Sequence, residues 1–279
     1  MDYKSLVTSF RSSKLDSDHL DAAIDLATRK EAHLRVLVTG IEQVLPDTFY
    51  GGASTAVLQS TINEALDAAR AAEDEVTPIL ERSGIAFDVA SVVAQIGALG
   101  SIVSRYVALS DLVILPKPYG GNRTTEDVAL TEAALFSTRT PVLVLPRGQT
   151  TIPDAKSVVV AWDMSAEALT AIRAALSVLK TASKVNILII DPPEHGAQQS
   201  DPGLPLAELL TRHGCAVEVT VLSKTLPRVS DVIQRHVSDT GADMVVMGAY
   251  GHSRFREAIL GGTTRNMLEQ AEVPVLMAH

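Results

Sequence analysis

The chain has one cysteine, Cys215, among 279 residues. No internal disulfide can form, and a reducing, cytoplasmic setting is expected. Cys215 opens a predicted strand and reads as a small buried apolar residue. Aromatic residues amount to 4%, too few to interleave with basic side chains along a nucleic-acid-binding stripe. Positive charge is short as well: 24 Lys and Arg face 33 Asp and Glu, a net charge of −9. A phosphate backbone would be repelled overall, so no nucleic-acid partner is expected. No apolar run approaches the roughly 20 residues of a membrane span, so no membrane partner is expected either. The opening MDYKSLVTSF has an acid at position 2 and no apolar stretch of the kind a secretory signal needs. The seven histidines are scattered without ligand spacing, so no metal is expected beyond a nucleotide-bound Mg.

What the chain does have is aliphatic bulk and repetition. Hydrophobic residues make up 46%, mostly Val, Leu, Ile and Ala, the filling of sheets covered by helices. KSLVTSF at 4–10 matches KSVVVAW at 156–162, and HLRVLVTG at 33–40 matches KVNILIID at 184–191, at offsets of 152 and 151. IAFDVASVV at 85–93 matches CAVEVTVLS at 215–223, SDLVIL at 110–115 matches ADMVVM at 242–247, and PVLVLP at 141–146 matches PVLMAH at 274–279. These three offsets are 130, 132 and 133. Each half therefore reads as five short strands alternating with helical patterns. Leu169, Ile172, Leu176 and Leu179 mark the buried stripe of the first helix of the second half. Strands alternating with helices imply a parallel sheet with right-handed crossovers, so two α/β domains are expected at 1–147 and 156–279. The closing strands PVLVLP and PVLMAH are apolar edges that invite pairing. Mutual cover would make an intramolecular pseudo-dimer, and the alternative is an edge capped by the linker or the tail.

The most informative stretch is DMVVMGAYGHSRFREAILGGTT at 243–264. An apolar strand stops at Gly248, a loop runs through Gly251 to Gly261 and Gly262, and a helical pattern begins at Thr263 and Thr264. Glycine admits positive φ and close approach of another group, and a helix start offers unpaired N–H groups where the dipole favours negative charge. The layout suits a phosphate, although the lysine and hydroxyl spacing of a Walker A loop is absent. In an open parallel sheet, ligands bind beyond the carboxyl ends of strands where the order reverses. Asp163 ends the first strand of the second half and Gly248 ends its fourth. With the order 3-2-1-4-5 these strands are neighbours, and Asp163 could accept from a base while the amides at Gly261 and Gly262 hold phosphates.

The G-x2-G-x9-G loop at Gly248, Gly251 and Gly261, the strand and acid of VVVAWDMS, the ADMVVMG strand and the closing EVPVLMAH together resemble the universal stress protein family. The resemblance covers the whole second half and, more weakly, the first. It implies a tandem member with two flavodoxin-like, Rossmann-like domains, each a five-stranded parallel sheet of order 3-2-1-4-5 flanked by helices. It further implies a non-enzymatic stress-response module that binds ATP or another adenine nucleotide. The implied contacts are Asp163 and Ile189 on adenine, the loop glycines around ribose and phosphates, and hydroxyls following the third glycine. Here Gly262 takes the first hydroxyl position, with Thr263 and Thr264 after it, and Met164 stands where the family's DGS has glycine. The first half departs further, with Arg11 at the place of Asp163, Pro116 at that of Gly248, and Val128 and Ala129 at those of Gly261 and Gly262. It reads as a structural partner without a site.

Other readings remain beside this one. The glycines could serve only a sharp strand-to-helix connection, and Asp163 could cap the helix that follows it. His252, Arg254 and Arg256 read as solvated loop charges. A ligand-free module presenting surfaces to protein partners is a second function, and further homodimerisation is compatible with either. A third is a hydrolase, since Gly251, His252 and Ser253 match the start of a G-x-S-x-G elbow. The fifth position is Phe255, however, and Ser253 comes six residues after the strand.

Overall fold

The structure, a computed structural model, describes residues 3–11, 17–42, 55–192, 201–249 and 262–279. By its contacts the chain divides into two compact units. One comprises Tyr3–Thr140 with Arg147–Ile152, and the other Pro141–Pro146 with Pro153–His279.

In the first unit the parallel strands are β1 (Ser5–Phe10), β2 (His33–Glu42), β3 (Phe87–Gln95) and β4 (Leu112–Pro116), in the order β3-β2-β1-β4. Its helices are α1 (Asp18–Lys30), α2 (Thr55–Ser83), α3 (Leu99–Val107) and α4 (Thr125–Ser137). The 29-residue α2 fills the stretch that makes the first half longer between its second and third strands. It presses so closely on β2 that a Cβ at Gly40 would fall 1.9 Å from the Ala65 carbonyl oxygen.

The second unit opens with β5 (Val142–Leu145) and continues through β6 (Ser157–Ala161), α5 (Ala166–Ala174), α6 (Leu176–Thr181), β7 (Lys184–Ile190), α7 (Leu204–Arg212) and β8 (Val217–Leu222). It ends with α8 (Val229–Thr240), β9 (Met244–Gly248), α9 (Thr263–Gln270) and β10 (Val275–Ala278). The order β8-β7-β6-β9-β10 is the expected 3-2-1-4-5. Val158, Val159 and Val160 of β6 are fully buried, as a central strand covered on both faces requires. The two apolar closing strands do cover each other: β5 runs antiparallel to β10, with Val144 opposite Val275 and Val142 opposite Met277.

Side-chain alternation separates the layers. Asn186 of β7 meets His236 of α8, whereas Ile189 lies under Gly203 at the start of α7, so α7 and α8 cover opposite faces. The apolar stripe expected of one helix is shared by two, because the chain bends at Ala175 (φ −83°, ψ −3°). Ile172 and Leu179 are buried as expected, but Leu169 and Leu176 are only half-buried, and Ala168, Ala171 and Ala175 complete the inward face.

One device recurs in both units. The carboxylate of Asp111 accepts from the backbone N–H groups of Lys4 and Ser5 at 2.7 and 2.9 Å. That of Asp243 accepts from those of Lys156 and Ser157 at 2.9 and 3.2 Å. In each case the acid before the fourth strand anchors the start of the first. No described helix is long and apolar enough to cross a membrane.

Candidate functional site

β6 and β9 are hydrogen-bonded neighbours, with Ala161 opposite Met247. Their carboxyl ends therefore place Asp163 and Gly248 side by side at one end of the sheet. The chain leaves β6 after Ala161, and the N–H of Trp162 donates to the Leu188 carbonyl at 2.9 Å. Asp163 is exposed, and its Oδ1 accepts from the Ser165 N–H at 3.0 Å. The cap of α5 is Ser165, whose hydroxyl accepts from the Ala168 N–H at 3.0 Å. Asp163 thus shapes the turn without capping the helix, and the residue is exposed. Between the two, Met164 is held at φ 63°, a left-handed conformation that suits glycine.

Gly248 has a packing reason to be glycine. A Cβ there would come within 2.5 Å of the Ala168 nitrogen and 3.0 Å of the Glu167 Cβ, because the first turn of α5 lies directly against the end of β9. Ile189 is buried, with Gly203 roofing it: a Cβ on Gly203 would lie 3.2 Å from the Ile189 Cδ1 and 2.5 Å from the Val219 Cγ1.

Gly262 begins α9 as its N-cap in extended backbone (φ −61°, ψ 158°), and being glycine it has no side chain to cap the helix. Its carbonyl accepts from the Asn266 N–H at 3.1 Å. Thr263 is half-buried and Thr264 buried. Gly251 and Gly261 lie outside the described residues, as do His252, Ser253, Arg254, Phe255 and Arg256.

The corresponding end of the first unit is filled from within. Arg11, at the place of Asp163, donates to the Thr124 hydroxyl at 2.7 Å and pairs with Glu126 at 3.2 Å and Asp127 at 3.4 Å. Asp127 lies 3.6 Å from Arg123, and both side chains are nearly buried. Thr124 and Asp127 form a capping box on α4. Val128 and Ala129, where the second half has its glycine pair, sit inside α4, so this helix starts earlier and carries its own carboxylates on its first turn. Acid side chains there meet the same dipole that would attract a phosphate.

The shifted titrating groups gather at the opposite end of the second sheet and around it. Asn186 Nδ2 donates to Glu218 at 2.7 Å and Thr220 at 2.8 Å, its Oδ1 meets His236 Nε2 at 3.0 Å, and Lys184 pairs with Glu218 at 3.0 Å. Burial holds the His236 ring below its ordinary pKa, against the pull of Asp239 and Glu218. The hydrogen bond from Lys184 holds Glu218 low. Burial raises the Cys215 thiol. Among the described residues no group of three or more His, Cys, Asp or Glu is arranged to hold a metal ion.

Comparison with known proteins adds to this geometry. Residues 155–279 match the model of the Universal stress protein family. A universal stress protein of Synechocystis is 35% identical over 98 residues, a match covering 32% of this chain and 33% of that protein's length. A universal stress protein structure from Archaeoglobus fulgidus superposes with a TM-score of 0.72 at 18% identity, covering 98% of this chain and 96% of that one. A Pseudomonas aeruginosa protein named for the same family gives a TM-score of 0.62 at 16% identity, over 99% and 93% of the two chains. At such identities the structural likeness shows the shared fold.

Proposed function

We propose that the chain, whose residues 155–279 match the universal stress protein model, is a non-enzymatic stress-response module that binds one adenine nucleotide, in its second half. The observation that carries this reading is the contrast between the two sheet ends. One presents an exposed acceptor, Asp163, at the end of β6 next to β9, and the helix α9 that follows β9 starts at a glycine; the other is closed by Arg11, Glu126 and Asp127.

Asp163 would accept from the exocyclic amine of adenine, and the first amides of α9 would hold phosphate oxygens, with Gly251 and Gly261 bringing the loop backbone close. Gly262, Thr263 and Thr264 form the start of that cradle, and ATP is the fullest occupant. A magnesium ion would arrive on the phosphates, since no metal-binding cluster stands ready among the described residues. Ile189, buried beneath Gly203, would be the apolar contact of the base.

Calorimetric titration with ATP tests the reading. One site per chain is expected. Asp163→Ala should weaken binding about fivefold, the order expected for one hydrogen bond of about 1 kcal/mol. Two sites per chain, or binding lost on Arg11→Ala with the fold intact, would overturn the assignment.

A further inference from the structure

We infer that Arg228 reads the charge of the ligand's phosphate chain, an assignment that rests on the nucleotide reading above. Arg228 is the N-cap residue of α8 and is exposed. Its Nη1 donates to Asn266 Oδ1 at 3.3 Å. Asn266 is 4% exposed and sits one turn along α9 from Gly262, to which its backbone is bonded. Helical side chains lean toward the N-terminal end, so the Asn266 amide carries the guanidinium alongside the first turn of α9.

The bond leaves the cation unspent. Asn266 Oδ1 is neutral, and among the described residues Arg228 forms no ion pair. Among the described residues, Asp231 stands in the first turn of α8, and Arg265, next to Asn266 in sequence, pairs with Glu269 at 2.8 Å. Arginine presents five donors in a planar fork, so one bond to an amide keeps most of them for an anion.

The two halves provide an internal comparison. By the offset of 130 the counterpart of Arg228 is Ala98, which is likewise the N-cap of its helix, α3. By the offset of 133 the counterpart of Asn266 is Ala133. The anchored cation therefore occurs in the half that has the exposed Asp163 and a helix starting at glycine, and both members of the pair are alanine in the half closed by Arg11.

A guanidinium beside a helix start recognises charge, so its contribution should grow with phosphate number while leaving the nucleoside unaffected. The experiment is equilibrium titration of ATP, AMP and adenosine into the wild-type chain and into Arg228→Gln, Asn266→Ala and Arg235→Gln. Arg235 is an exposed cation on α8 paired with Asp239, and serves as the charge control.

Arg228→Gln should weaken ATP about tenfold, the range of one hydrogen bond to a charged group, and leave adenosine unchanged. Asn266→Ala should weaken ATP by less, because the cation is released without being removed. Arg235→Gln should match the wild type. Unchanged ATP affinity in Arg228→Gln, or an equal loss for adenosine, would overturn the role of Arg228. A wild-type chain that binds none of the three overturns the nucleotide site itself.

Discussion

Met164 holds a left-handed backbone at φ 63°, and the residue is 37% exposed. Little packing repays that conformation, and a non-glycine residue there costs on the order of 1 kcal/mol. Met164→Gly should therefore stabilise the chain by about 1 kcal/mol in denaturant titration, against the usual direction of a substitution to glycine. A loss of stability would mean that Met164 makes contacts outweighing the strain. Gly262 is the opposite case: its φ of −61° is open to any residue, so glycine there is not required by the backbone. The two departures from the family's pattern thus differ physically. One side chain sits where a glycine would be relaxed, and one glycine sits where the backbone angles admit any residue.

At the scale of elements, β7, β8 and α8 are joined by Asn186, a buried amide on a central strand of the second unit. His236 is held neutral there by burial, below its ordinary value of 6.5. A base whose folded pKa is depressed contributes stability above its unfolded pKa and loses it as pH falls through that value toward the folded one. Unfolding followed between pH 7 and pH 5 should show a decline that His236→Gln reduces; an unchanged slope in the variant would exclude His236 as its source. Such pairings explain where sequence reading stops. The strands and their order were legible because runs such as Val158–Val160 and Met244–Met247 recur at fixed offsets in both halves. Asp163 and Gly248 were legible as neighbours because strand order alone places them. The Arg11 clamp was not, since its partners lie more than a hundred positions away and no local pattern announces them. Nor was the packing reason for Gly248, or the link from Arg228 to Asn266 between two helices. The same holds for the roof over Ile189, which depends on how the chain enters α7.

For the whole molecule, the proposed nucleotide acts on one unit. A ligand that binds only the native state stabilises in proportion to RT ln(1 + [L]/Kd), so saturating ATP should slow amide exchange in strands β6 and β9 and leave β1 and β4 unchanged. Equal protection of β1 and β4 would argue for a second site. The pairing of β5 with β10 bears on how this chain reaches its native form. Val144 and Val275 are about 130 positions apart, so closing this contact carries a large loop entropy and belongs among the late steps of folding. Until it forms, the fully apolar VLVL of β5 has one edge unpaired. During synthesis that strand would be exposed while the whole second half is still being made, and transient capture by another chain would compete with the native pairing. A chain that must wait so long for its own strand has reason to need a chaperone's shelter in the interval.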